Sequence, residues 1–357
     1  MTAQAPAVPP RIGRLRPGPR DAITDVAGIA VGHATLADGP IQTGVTVILP
    51  HDGDPFRERV PAAVHVLNGF GKSFGLLQLE ELGVIETPIA LTNTFSVPAV
   101  AAAQIRATIA ANPKCGRSLP SVNPLVLECN DGILNDIQAL VIGDDHYRAA
   151  IAAAGPSVPQ GAVGAGRGMS CFGVKGGIGT ASRIAALANG AMATVGALVL
   201  ANFGRPDQLI VAGQSWGERL AERLRGGRRG EEADGPEKGS IIMVLATDAA
   251  LDSRQLRRLA ARAGAGLART GSVYGHGSGD IALAISTAYR LPLDRLAEMP
   301  AVRFVADGLL DPLFQAAADA VEQAILNALW AAEAVTGRDG NRRRPLLDLL
   351  PELESHP

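Results

Sequence analysis

The chain has 357 residues, 33 basic against 35 acidic side chains and a net charge of −2. That length fills one large domain or two ordinary ones, and the near balance of charge argues against electrostatically driven binding to nucleic acid. Cysteines at 115, 129 and 171 form no CxxC pair and no metal-ligand spacing, so the sequence points to a reducing, cytoplasmic compartment rather than a disulfide framework.

Residues 1–20 carry five prolines and no apolar run, which predicts an extended arm and not a secretory signal. Val- and Ile-rich runs between Gly and Pro punctuation predict strands at Gly28–Val31, Gly44–Leu49, Ala62–Leu67 and Ile89–Thr92. Val100–Ala111 reads as an Ala-rich helix bracketed by Pro98 and Pro113. Further strands are expected at Val195–Ala201, Ile241–Ala246 and Ile281–Ser286. The most apolar segment, Met192–Asn202, is too short to span a bilayer.

Ser253–Thr270 has Leu256, Leu259, Ala263 and Leu267 at helical spacing opposite a basic face, which predicts a solvated outer surface. Asp311–Val335 reads as a helix with Asp311 as N-cap, Pro312 at the first helical position and Gly337 as C-terminal cap. The mixture of strands and helices predicts a layered α/β protein. The stretch 221–239 is charged, glycine-rich and nearly free of bulky apolar residues, which predicts an exposed linker. It ends at Gly239-Ser240, where a buried strand begins at once.

Several chemistries fail on spacing. Gly69-Phe70-Gly71-Lys72-Ser73 lacks the first glycine of a phosphate loop, because Val66 stands there. Gly164-Ala165-Gly166-Arg167-Gly168 misses the dinucleotide pattern by one place. No HExxH occurs, and His33 and His65 read as hydrogen-bonded core residues. What survives are polar, glycine-rich clusters after or before apolar runs: Glu128-Cys129-Asn130-Asp131-Gly132, Val163–Ser182, Asn202-Phe203-Gly204 and Gly275-His276-Gly277-Ser278-Gly279-Asp280. Singly, each reads as a tight turn, and the Gly-Ser seam reads as a surface linker.

Taken in order, these clusters resemble one family. Together with Asp21-Ala22-Ile23-Thr24-Asp25-Val26, Val31-Gly32-His33, His65-Val66-Leu67-Asn68-Gly69-Phe70-Gly71-Lys72 and Thr87–Thr94, they make the chain similar, over nearly its whole length, to the self-cleaving serine aminopeptidases. That group spans the L-aminopeptidase/D-esterase/D-amidases and the β-aminopeptidases. The resemblance implies a four-layer α/β/β/α sandwich, like the N-terminal-nucleophile (Ntn) hydrolases but with different strand connectivity. It implies one self-processing domain over 1–357, cut between Gly239 and Ser240 into 1–239 and 240–357.

The resemblance further implies a role for each matched residue. Ser240 would be the nucleophile, Asn202 the side-chain donor to the oxyanion, and Ser278 with Asp280 the activating relay. The new α-amine of Ser240 is an alternative base, since an α-amine titrates near 7.7–8.0. Glu128, with Asp131 as its competitor, would hold the substrate's free amine. Some relatives place a bulky aromatic between positions 128 and 135, where this chain has Ile133 and Leu134. The substrates implied are small peptides and amino-acid amides or esters, cut without a metal or cofactor by a cytoplasmic homo-oligomer, a tetramer of cleaved pairs, with no nucleic-acid or membrane partner. Alternatives are a D-amino-acid amidase/esterase, a β-aminopeptidase, or an uncleaved, non-catalytic member of the fold.

Overall fold

The computed structural model describes residues 8–226, 239–294 and 296–355. In chain order the main elements are β1 (Ala30–Asp38), β2 (Ile41–Leu49), β3 (Glu58–Gly69), α1 (Leu76–Leu82), β4 (Ile89–Asn93), α2 (Val97–Ala111), β5 (Leu125–Cys129), α3 (Asp144–Ala152), β6 (Gly177–Ala186) and β7 (Met192–Asn202). They continue with α4 (Gly217–Arg225), β8 (Ser240–Thr247), α5 (Ser253–Arg269), β9 (Gly279–Ser286) and α6 (Asp311–Trp330). The smaller sheet runs β1-β2-β4-β5 and the larger one β3-β9-β8-β7-β6, with the short Leu291–Pro292 strand outside β3. Two parallel pairs, β4 with β5 and β9 with β8, require crossovers, which α2 and α5 supply.

Strand alternation builds the layers. In β8, Ile242, Val244 and Ala246 pack into a core shared with Ile48, Ile89, Leu91, Leu125 and Leu127 of the smaller sheet. Ile241, Met243 and Leu245 face the other way, onto Leu256, Leu259 and Leu267 of α5 and onto α6. Val45, Val47, Ala90 and Val126 of the smaller sheet pack outward on Val97, Val100 and Ala101 of α2 and on Tyr147 and Ala150 of α3. The result is four layers, α/β/β/α. A strand covered on both faces reads as a continuous apolar run, which is why Ile241–Ala246 was so plain in the sequence.

The helices depart from expectation in instructive ways. Helix α6 stops at Trp330, and Val335 enters a short strand pairing with Arg343. Its N-cap is Leu310, without a side-chain cap, and Ala331 is its C-cap. Gly337 instead allows close approach, since a Cβ there would lie 1.9 Å from the Leu134 carbonyl oxygen. Helix α6 is also buried on nearly all sides, including Asp319, Glu322 and Gln323, because the sheet, α5, the N-terminal arm and Leu346–Leu353 enclose it. The basic face of α5 is paired rather than merely solvated: Arg254 and Arg258 meet Asp307, Arg269 meets Asp319, and Arg262 lies over Phe314. The expected linker begins later than 221. Residues through Arg225 complete α4, Leu224 packs against the core, and 227–238 lie outside the described residues.

Among the described residues no helix is long and apolar enough to cross a membrane, and no group of three or more His, Cys, Asp or Glu is placed to hold a metal ion. Cys115, Cys129 and Cys171 are buried, and none is in a disulfide.

Candidate active site

Ser240 opens β8 at one end of the sandwich. Asn202, the last residue of β7, stands directly across from it on one side, and Gly279, the first of β9, on the other. Ser240 shares its parity with Ile242 and Asn202 with Leu200, so both side chains start on the face turned toward the smaller sheet. The neighbouring β3 ends at Gly69 against Gly279, and β5 ends at Cys129. Four sequence clusters far apart in the chain thus meet at adjacent strand ends.

The Ser240 hydroxyl donates to the carbonyl oxygen of Gly239 at 2.7 Å. The backbone N–H of Gly279 donates to Ser240 Oγ at 3.2 Å and lies 3.4 Å from the same Gly239 oxygen. A side-chain hydroxyl, a peptide carbonyl and a backbone donor are therefore grouped at the Gly239–Ser240 bond. Gly239 does not use a left-handed φ. What requires glycine is space: a Cβ would sit 2.6 Å from Phe203 Cα and 2.7 Å from the Asn202 carbonyl oxygen.

Asn202 is held at both ends of its amide. Oδ1 accepts from the Ser170 N–H at 2.8 Å, and Nδ2 donates to the Asn130 carbonyl at 3.0 Å. These bonds fix which end of the amide carries the donors and leave one Nδ2 hydrogen uncommitted, since a primary amide has two. Ser278 and Asp280, both buried, form a pair at 2.6 Å in which the Ser278 hydroxyl donates to Oδ1. The pairing register with β3 shifts between Asp280 and Ile281.

Glu128 is buried next to the same place. Oε1 accepts from the Lys72 N–H at 2.8 Å, and Oε2 from the Thr94 hydroxyl. A Cβ on Gly71 would reach Glu128 Oε1 at 3.6 Å and Gly279 Cα at 3.9 Å, so the 71–72 backbone links Glu128 to the strand end beside Ser240. Burial pushes the Cys129 thiol up, and the charges of Glu128 and Asp280 add to the effect. Asp131 is set apart. Its Oδ1 accepts from Asn135 at 3.0 Å within its own turn, its side chain abuts Gly168, and burial pushes its carboxyl up to about 7.

His276 is exposed beside Phe70, with ring centroids 6.0 Å apart. His33 bonds Thr46 through Nδ1 at 2.9 Å, and burial pulls its pKa down to about 4. Reading the sequence missed the Gly279 N–H, Thr94 and the Lys72 N–H. Two of these are backbone donors, invisible in residue type. The signal for the first was a glycine between two polar residues at the start of a strand.

Residues 21–343 match peptidase family S58. The chain belongs to that family. Its fold and its class as a serine peptidase hydrolase agree with what the resemblance implied. This S58 chain is 41% identical over 343 residues to the beta-peptidyl aminopeptidase BapA of Sphingosinicella microcystinivorans, covering 91% of this chain and 85% of that one. The structure of a beta-aminopeptidase from Burkholderia sp. superposes with a TM-score of 0.86 at 43% identity, over 97% of this chain and 98% of the other. The L-aminopeptidase D-Ala-esterase/amidase of Ochrobactrum anthropi, described as a prototype serine aminopeptidase and a variant of the Ntn hydrolase fold, superposes at 0.86 with 34% identity, over 97% and 96%.

Proposed function

We propose that this S58 protein cuts its own Gly239–Ser240 bond and then uses Ser240 to remove N-terminal residues from small peptides, amides or esters. The observation that carries the proposal is the placement of Ser240 Oγ and the Gly279 N–H on the Gly239 carbonyl. Ser240 Oγ attacks the Gly239 carbonyl carbon, the C–N bond breaks, and the hydroxyl proton ends on the departing nitrogen. Water then hydrolyses the Gly239 ester, which leaves a carboxylate on Gly239 and a free amine and hydroxyl on Ser240. In turnover the same hydroxyl takes the substrate's acyl group, the leaving amine or alcohol departs with the proton, and water releases the product.

The N–H of Gly279 and the second Nδ2 hydrogen of Asn202 are the donors for the oxyanion. The Ser278–Asp280 pair flanks Gly279 and serves as the proton relay, with the Ser240 α-amine as its alternative. Glu128 receives the substrate's ammonium group. Its oxygens keep lone pairs beyond the Lys72 and Thr94 bonds, since a carboxylate offers about four acceptor sites. Asp131, whose side chain abuts Gly168 and whose Oδ1 is held by Asn135, is the weaker competitor. No metal or cofactor has a part in these steps.

N-terminal sequencing and intact mass tests the cleavage: fragments of 239 and 118 residues are expected, and a fully active 36.8-kDa single chain overturns it. Gly239→Val should stay largely uncut, because the side chain would push β8 away from Phe203; complete processing of that variant would remove the close-packing argument. Glu128→Gln should lower kcat/KM on free-amine substrates about 10- to 100-fold, the scale of a lost charge-assisted hydrogen bond. Unchanged kinetics would return the amine site to Asp131.

The identity to two β-aminopeptidases favours peptides whose first residue is a β-amino acid as the main substrates. Rates on β-alanyl, L-alanyl and D-alanyl anilides separate this from the L-aminopeptidase and D-amidase/esterase readings. Assembly as a cytoplasmic homo-oligomer of cleaved pairs belongs to the same proposal. Light scattering of the purified protein tests it.

A further inference from the structure

One buried charge near the site is unused by the proposed chemistry. Lys175 is completely buried in the short strand Val174–Lys175, which pairs with Ser170–Cys171. Its Nζ donates to three backbone carbonyls: Gly166 at 2.9 Å, Met169 at 2.8 Å and Gly176 at 2.8 Å. Among the described residues no carboxylate lies within ion-pair distance of it. Burying an ammonium without a counter-charge costs several kcal/mol unless hydrogen bonds compensate. A lysine kept in such a place is holding something.

What it holds is the loop that faces Asn202. Met169 precedes Ser170, whose N–H fixes Oδ1 of Asn202. The Gly176 N–H closes the same loop on the Met169 carbonyl at 3.0 Å, and a Cβ on Gly176 would lie 2.3 Å from the Ala201 carbonyl oxygen. The loop's carbonyls thus converge inward on one ammonium, and one of its N–H groups turns outward onto the Asn202 amide.

We propose that Lys175 is a positioning residue for Asn202, acting through the 166–170 loop whose carbonyls it gathers. The inference rests on the oxyanion role of Asn202 given above. The donor count sharpens it: an ammonium has three N–H donors for these three acceptors, whereas a neutral amine has two. Burial pulls the Lys175 pKa down to about 7, with Arg167 acting in the same direction and Cys171, Glu333 and Asp131 opposing it.

The test is a double-mutant cycle on purified, full-length protein. Lys175→Met should lower kcat on a β-alanyl or L-alanyl anilide about 10- to 100-fold with KM changed less than threefold. In an Asn202→Ala background the same change should cost less than threefold further, because the group being positioned is already gone. Lys175→Gln, which keeps two donors, should fall between wild type and Lys175→Met, and it carries the test if Lys175→Met does not fold. Thermal melting of each variant checks folding. A fully additive cycle, or a loss confined to KM, overturns the inference while leaving the oxyanion role intact. Near-normal rates in Asn202→Ala alone overturn the oxyanion reading itself, and this inference with it.

Discussion

Ser240→Ala is expected to remain a single 357-residue chain and to hydrolyse nothing above background. Loss of the nucleophile in a serine peptidase costs on the order of 10⁶ in kcat. The substitution removes one buried oxygen at the start of β8, where Ser240 touches the Gly239 carbonyl and the Gly279 N–H. Alanine fits the space, and the Gly279 N–H retains the Gly239 oxygen as a neighbour. The fold should therefore survive, with a melting temperature within a few degrees of wild type. Denaturing electrophoresis, intact mass and an anilide assay read the three consequences together. A cleaved or active Ser240→Ala protein would remove Ser240 as nucleophile of both reactions.

Asn202→Ala is expected to lower kcat about 10²- to 10³-fold and to slow self-cleavage, the scale of losing one oxyanion donor. The argument is geometric. Asn202 stands opposite Ser240 across the β7–β8 pair, and the Ser170 and Asn130 backbones fix its amide. Alanine would also leave the Ser170 N–H and the Asn130 carbonyl without that partner, at about 1–3 kcal/mol for each group kept from water. Asn202→Asp restores the Ser170 contact but not the one to the Asn130 carbonyl. It keeps the shape and the acceptor for Ser170 but loses the donors, so it should be as slow as Asn202→Ala. A fast Asn202→Asp enzyme would assign the oxyanion to Gly279 alone.

Together the two variants divide the site by function. Ser240 is tested as the atom that forms the bond, Asn202 as the group that meets the charge. Glu128 differs from both: its expected signature is substrate-selective, falling on free-amine substrates and leaving processing of the precursor untouched, since Gly239 presents no free amine.

The sequence alone determined the strands that are covered on both faces. Ile241–Ala246 and Ile281–Ser286 needed no tertiary context, because a continuous Val/Ile/Leu run bounded by glycine has few other solutions. Helix α5 was equally legible from its spacing, and Asp252 caps it in a box with Gln255. Strand β6 was hidden, because Gly177-Ile178-Gly179-Thr180 reads as loop. Those glycines are there for close approach instead: a Cβ on Gly179 would lie 1.9 Å from the Ala324 carbonyl oxygen of α6. The end of α6 was misplaced for a related reason, since Gly337 answers to Leu134, two hundred residues away, and not to its own helix.

The same division runs through the site. Residue types alone placed Ser240, Asn202, Ser278, Asp280 and Glu128 in polar clusters at the ends of apolar runs, and only the resemblance to a family gave those clusters roles. Only the tertiary structure could decide that those strand ends are neighbours, that Glu128 rather than Asp131 lies beside Gly71 and Gly279, and that a backbone N–H meets the Gly239 carbonyl. The physical reason is that pairing register is set by contacts between distant segments. The hydrogen bonds that orient Asn202, Glu128 and Lys175 come largely from main-chain groups, which every residue carries and no sequence pattern distinguishes.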